Sequence, residues 1–399
     1  MSRWSDIIVA CGKGVARRHG EPMQSEVGSS ASQQVLMLTS RPWIRGPLPK
    51  IAPLQIAMLE AQGYAVDVAY WGSRFDDEPV LRKLFAGPLD LAKALRALKS
   101  GSHGILFVNT AHDFKTLLRD IPLLCLTRRR GVRRIVLLHG SLAERLTHPR
   151  SWAFKSASGF MVRSADAILL LSAAELEIWR AFEPRGRYFG VVNPFVPSQE
   201  LKEAALKHEA VMSSTERARE VLFVGRLVRE KGVIDLVEAM RLVNEELPCR
   251  LVIAGTGPVK DQLTVLVQDS GLGSRIDLCG YMDAGGLATA YASAEVFVLP
   301  TYWDEGFPTV IAEAMSVGLP IITTRIRGAA DLLTEGENCL YTAPRDPTEL
   351  ATCILTLLKD DGLARRMSAA NRALAETLRP AAVGAAYTQA FESSVGIHD

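Results

Sequence analysis

Several features that would point to particular protein classes are missing. Forty-six Lys and Arg residues face 44 Asp and Glu, for a net charge of +2 over 399 residues. That balance gives no global electrostatic case for a nucleic-acid partner, though a local contact with an anionic surface stays open. The six cysteines, at 11, 125, 249, 279, 339 and 353, form no CxxC pair and no metal-like spacing. They read as reduced, mostly buried thiols of a cytosolic protein. No apolar run reaches the roughly 18 residues that a spanning helix needs. The N-terminal "DIIVACGKGVARRHG" has too short an apolar part, followed by basic residues, to read as a signal peptide.

What is present is a globular composition, 48% hydrophobic and 23% charged. The length suits two domains of roughly 150–200 residues each. Residues 1–34, rich in Gly, Ser and Gln after position 12, read as a disordered leader. From Val35 on, short continuous apolar runs alternate with longer amphipathic ones. "VLMLT" (35–39), "AVDVAY" (65–70), "GILFVN" (104–109), "RIVLLH" (134–139), "AILLLS" (167–172) and "YFGVVN" (188–193) have the look of buried parallel strands. A second series follows: "EVLFVG" (220–225), "RLVIAG" (250–255), "RIDLCG" (275–280), "EVFVLP" (295–300) and "PIITT" (320–324). Strands alternating with helices predict α/β architecture with two doubly wound, Rossmann-like domains. The expected boundaries are 35–195 for the first domain, 196–219 for a polar linker and 220–376 for the second domain. Residues 377–399 are expected as a terminal helix crossing back to the first.

In open sheets of this kind ligands bind beyond the carboxyl ends of the strands. After the strand ending at Gly225 come Arg226 and Lys231, two cations ahead of a helix, which suit a diphosphate or are solvated at a loop edge. In "VIAGTGP" (252–258), Gly255 and Gly257 bracket a tight turn; either close ligand approach or a plain turn explains them. "EGFPTVIAEAMSVGLP" (305–320) places Glu305 in a loop and a helix over Thr309–Val317. The first-turn N–H groups of Thr309 and Val310 can hold a phosphate. Glu313 sits one turn further along the same face. Carboxylates there can grip sugar diols; the alternative is a dipole-complementing Glu305 and an exposed Glu313.

"VGRLVREKG", "AGTGP" and "EVFVLPTYWDEGFPTVIAEAMSVGLPII", in this order and spacing, resemble retaining glycosyltransferase family 4, a family with the GT-B fold. The resemblance is specific across 220–335 and diffuse across 35–195. It implies two domains facing one another across a cleft. It implies that Gly225, Arg226, Lys231 and Gly257 belong to the donor diphosphate site. By the same resemblance Glu305 touches donor-sugar hydroxyls and Glu313 the ribose. Phe307, Pro308, Thr309 and Val310 form the turn that meets sugar and phosphate, and "LCGYM" (278–282) falls where the nucleobase is framed. In the first domain the glycine-rich loop is reduced to Gly46, between Arg45 and Pro47, on the acceptor side. His139 in "LLHGS" resembles the histidine near the reaction centre, which would make His139 and Glu305 the catalytic pair. His112 in "NTAHD" competes with His139 for that role.

The implied reaction moves a sugar from a nucleotide diphosphate sugar to a hydroxyl of a glycan or lipid-linked glycan, with retention. No Asp-x-Asp motif suits a divalent cation, so neither metal nor cofactor is expected. "TRRRGVRR" (127–134) holds five arginines in eight residues. Together with the cations and aromatics of 148–163 it suits peripheral contact with the inner face of an anionic membrane, or equally a solvated basic face. Two rivals remain: a phosphorylase or epimerase on the same scaffold, and a non-catalytic nucleotide-sugar-binding protein. Sugar release dependent on inorganic phosphate marks the first, and nucleotide binding without turnover marks the second.

Overall fold

The computed structural model describes residues 34–44, 46, 48–72, 80–100, 103–128, 131–213, 219–303 and 306–393. The leader expected over 1–34 lies outside them except for Gln34. The chain divides into two compact units, Met1–Phe195 with Leu378–Asp399, and Val196–Thr377.

The first unit holds β1 (Gln34–Thr39), β2 (Ala65–Tyr70), β3 (Ile105–His112), β4 (Arg133–Ser141), β5 (Ala167–Leu170) and β6 (Tyr188–Gly190). They form one parallel sheet in the order β2-β1-β3-β4-β5-β6. The continuous apolar runs arise because both faces of the sheet are covered. Leu36, Leu38, Leu106 and Val108 enter one core, and Val35, Met37, Ile105 and Phe107 enter the other. Strand β2 lies at the edge and is largely exposed. The helix Pro380–Glu392 closes the second of these cores. Tyr387 and Phe391 stand edge-on to Phe107 at 6.4 and 5.3 Å, and the Tyr387 hydroxyl donates to the Val192 carbonyl. Pro380 occupies this helix's first turn, where its missing N–H costs nothing, so it starts the helix rather than breaking it.

The second unit holds β7 (Glu220–Val224), β8 (Arg250–Ala254), β9 (Ile276–Gly280), β10 (Val296–Leu299), β11 (Ile321–Thr323) and β12 (Cys339–Tyr341). These also form a parallel sheet, ordered β12-β11-β10-β7-β8-β9. The strand order reverses between β7 and β10 here, and between β1 and β3 in the first sheet. One boundary differs from the sequence reading. Much of the expected linker 196–219 is a helix, Gln199–Ser213, that packs on the helices Ala284–Ser293 and Thr309–Val317. Its charged residues disguise a narrow buried stripe, Leu201, Ala204, His208 and Met212, at spacings of three and four. Among the described residues no helix is long and apolar enough to cross a membrane.

Candidate functional site

In the second unit the chain leaves β7 and β10 side by side, at the point where strand order reverses, and the two exits are stitched together. After Gly225 and the exposed Arg226, a short 3-10 turn spans Arg229–Lys231. The Glu230 carbonyl in that turn accepts from the Tyr302 backbone N–H at 2.8 Å and from the Thr301 hydroxyl at 3.2 Å. Gly232 follows with φ +69°, and a Cβ there would lie 2.2 Å from the Pro300 carbonyl oxygen. The β8 exit is held as closely. Gly255, at φ +150°, would bring a Cβ to 1.8 Å from the Gly225 carbonyl oxygen; at Gly257 a Cβ would stand 2.2 Å from that of Leu227. Leu227 N–H donates to the Thr256 carbonyl at 3.0 Å. The glycines of "AGTGP" therefore serve backbone-to-backbone contact, which fixes the segment that presents Arg226 and Lys231. Arg226 has no acidic partner among the described residues.

The helix Thr309–Val317 begins with Pro308 as its N-cap and ends at Gly318 with φ +95°. Ile311 N–H is taken by the Pro308 carbonyl at 3.0 Å, while the first-turn N–H groups of Thr309 and Val310 have no carbonyl within the helix to serve. The turn before it, Gly306–Phe307, is seated on the start of the helix Arg327–Leu332, because Gly328 lacks a Cβ that would otherwise lie 2.6 Å from the Gly306 carbonyl oxygen. Glu305 itself lies outside the described residues, so its expected place beside this turn receives no geometry.

Glu313 is 5% exposed rather than a surface residue. Its Oε2 accepts from the Tyr291 hydroxyl at 3.1 Å. Burial, and then the Glu313 charge, push the Tyr291 hydroxyl well above its ordinary pKa, so it stays a donor. A carboxylate that is desolvated and oriented in this way is poised to accept from a diol. Tyr291 went unnoticed in the sequence because "ATAYAS" carries no signal beyond helix. Gly328 could have been found by extending the strand-end search past "PIITT".

In the first unit the two histidines separate cleanly. His112 lies in the core, 1% exposed, between Phe154 and Trp179 at ring distances of 4.7 Å, with Nδ1 on Ser141 Oγ at 3.0 Å and Nε2 on Ser158 Oγ at 2.8 Å. Both nitrogens are satisfied, so its role is structural. His139 sits at the carboxyl end of β4, partly accessible, with Nε2 2.6 Å from Asn109 Oδ1. In that pairing Nε2 donates, which leaves Nδ1 as the acceptor. Asn109 was legible as a lone polar residue ending the run "GILFVN", but the sequence reading passed over it. Gly46 is exposed at φ +138° with open space around it; Arg45 and Pro47 beside it lie outside the described residues. Among the described residues no three His, Cys, Asp or Glu side chains gather as a metal site.

Burial pushes His112 and His139 down to about 3 from an ordinary value of 6.5. Their folded-state pKa values are depressed, so below pH 6.5 the unfolded chain binds protons that the folded one refuses. The stabilisation is therefore complete above about 6.5 and is lost as pH falls towards 3, at up to ~1.4 kcal/mol per pH unit for each histidine. The first unit should show this slope in urea midpoints taken between pH 7.5 and 4. His112→Asn should be less stable at pH 7.5 yet lose less over that interval.

Residues 207–374 match the family described as Glycosyl transferases group 1. This segment takes in nearly all of the second unit, Val196–Thr377. The chain is 29% identical over 61% of its length to alpha-D-kanosaminyltransferase of Streptomyces kanamyceticus, covering 66% of that protein. It is 32% identical over 36% of its length to an uncharacterized glycosyltransferase of Methanocaldococcus jannaschii, covering 36% of that protein. Against glycogen synthase of Mycobacterium tuberculosis the figures are 29% over 58%, covering 53%. The chain thus spans 36–66% of the length of these relatives. Among solved structures, sucrose-phosphate synthase from Thermosynechococcus elongatus superimposes with a TM-score of 0.70 at 21% identity, over 90% of this chain and 98% of that one. Anabaena HepE in complex with UDP gives 0.66 at 18%, over 90% and 100%. These likenesses establish the GT-B fold.

Proposed function

We propose that the protein transfers a sugar from a nucleotide diphosphate sugar to a hydroxyl of a glycan or lipid-linked glycan acceptor. The observation that carries this reading is the interlocked exit of β7, β8 and β10, which presents two cations after β7 beside the β10 exit that leads to a helix N-terminus and its buried, oriented carboxylate. Relatives named for kanosaminyl transfer and glycogen synthesis, and a HepE structure holding UDP, support a nucleotide-linked donor. In this reading Arg226, Lys231 and the Thr309 and Val310 N–H groups take the negative charge that develops on the leaving diphosphate. Glu313 accepts from the ribose hydroxyls, and Glu305 from the donor sugar. His139, the catalytic candidate of the first unit, acts as a neutral imidazole that hydrogen-bonds rather than takes up a proton, since burial pushes it down to about 3. The sugar keeps its anomeric configuration, by way of an oxocarbenium-like state without a protein nucleophile. Contact with an anionic membrane belongs to the same proposal where the acceptor is lipid-linked.

With the cations supplying charge stabilisation, the reaction is expected to proceed without a divalent metal. Incubation with a panel of nucleotide sugars and oligosaccharide acceptors, followed by mass spectrometry and anomeric proton spectra, tests the reading. An α-linked product from an α-linked donor, formed at an unchanged rate after treatment with excess EDTA, is the expected result. An inverted product, or a rate abolished by EDTA and restored by Mg2+ or Mn2+, overturns the mechanism. Sugar release only with inorganic phosphate turns the assignment to a phosphorylase.

A further inference from the structure

The opposite edge of the first sheet, where β4, β5 and β6 begin, opens a cavity of about 270 Å3. Ligands of doubly wound sheets bind at the other edge, so this cavity lies apart from the site just described. Six arginines line it: Arg128, Arg133, Arg134, Arg163, Arg185 and Arg187. Asp166 is the one carboxylate in the lining, and it grips the buried Arg134 in a two-pronged pair at 2.8 and 2.9 Å. Arg163 reaches Glu183 at 2.9 Å. Arg133 and Arg187 donate to main-chain carbonyls at the end of the C-terminal helix, those of Phe391 at 2.7 Å and Ser393 at 2.8 Å. Arg128 and Arg185 are exposed at the rim, with no acidic partner among the described residues. Glu392 lies close enough for its charge and that of Arg133 both to act on the Tyr64 hydroxyl. Among the described residues, even counting Glu392, six guanidinium groups meet three carboxylates, an excess of three positive charges. Arginine does not discharge by losing a proton, so the excess persists at any physiological pH.

The described arginines of the run "TRRRGVRR" do not share one environment. Its Arg134 is buried in an ion pair, its Arg133 is tied to the C-terminal helix, and its Arg128 joins arginines from two other segments around a concavity. The guanidinium fork matches phosphate oxygens in paired hydrogen bonds. The volume falls below the ~300–1,000 Å3 of pockets for drug-sized ligands, which favours a compact anion over a whole nucleotide sugar. We propose that this cavity is a binding site for a compact polyanion bearing two or more phosphate groups, gripped by Arg128 and Arg185 at the rim and by Arg133 and Arg187 within. The phosphates could belong to a soluble oligophosphate or to an anionic phospholipid headgroup, and the test separates the two.

Calorimetric titration of the full chain with inorganic tripolyphosphate, in the Arg226→Ala, Lys231→Ala background that removes the second unit's own phosphate contacts, gives the first arm. The second arm is co-flotation with phosphatidylcholine vesicles, with and without 20% phosphatidic acid (roughly the anionic content of a charged leaflet). One-to-one tripolyphosphate binding, weakened about 10-fold or more by Arg128→Gln with Arg185→Gln and without flotation, identifies a soluble anion. Flotation only with phosphatidic acid, lost in the same variant, identifies a headgroup. Both substituted residues are exposed, and an unchanged thermal midpoint shows that the fold is kept. Absence of binding in both arms, or binding unaltered by the two substitutions, overturns the proposal.

Discussion

Replacing Arg226 and Lys231 together by alanine is expected to lower kcat/KM for the nucleotide sugar by about 1,000-fold, since each donor aimed at developing charge is worth ~100–1,000-fold. The fold should barely notice. Arg226 is exposed, and Lys231 lies in a turn whose backbone is anchored through its own N–H to the Val228 carbonyl and through Gly232 to the β10 exit. The midpoint of thermal unfolding without ligand should therefore stay within about 2 °C. Steady-state kinetics beside an unfolding scan separate the two effects. Full activity in the double variant would remove the diphosphate role from this loop.

The second large effect concerns the backbone beneath that loop. Gly255→Ala is expected to destabilise the second unit by about 3 kcal/mol or more, through a φ of +150° that is almost exclusive to glycine together with a Cβ driven into the Gly225 carbonyl. Gly271 provides the control. It has φ +72° but open space around the added Cβ, so Gly271→Ala carries only the backbone strain, about 1 kcal/mol. Urea midpoints of the two variants should differ accordingly. Gly255→Ala should also weaken nucleotide binding, because relief of the clash displaces Gly225 and Arg226.

The same residue shows what the sequence could and could not disclose. "VIAGTGP" announces a tight turn, but whether its glycines approach a ligand or another strand's loop depends on which strands are neighbours. That follows from the β12-β11-β10-β7-β8-β9 order and not from local spacing. Eleven of the twelve strands were legible, most because sheets covered on both faces make continuous apolar runs; the short Cys339–Tyr341 was not read as one. The helix Gln199–Ser213 was not, because a stripe of four buried residues is easily lost among lysines and glutamates. The helix Thr309–Val317 formed where the pattern placed it. Yet the hydrogen bond that orients Glu313 comes from Tyr291, 22 positions away, on a helix with no distinguishing sequence feature. His139 and His112 were likewise indistinguishable as residues that end strands. Their partners separate them: two serines and two aromatic rings enclose one, and a single asparagine orients the other.

The measurement that bears most directly on the central claim is calorimetric titration of the wild type and of Glu313→Ala with UDP-, GDP-, ADP- and dTDP-linked sugars. One of these is expected to bind the wild type with a dissociation constant of about 1 μM–1 mM. Glu313→Ala is expected to bind that ligand about 10-fold or more weakly, through loss of a charged hydrogen-bond acceptor. A folded wild type that binds none of the four at millimolar concentration, or a Glu313→Ala variant that binds as tightly as the wild type, would contradict it.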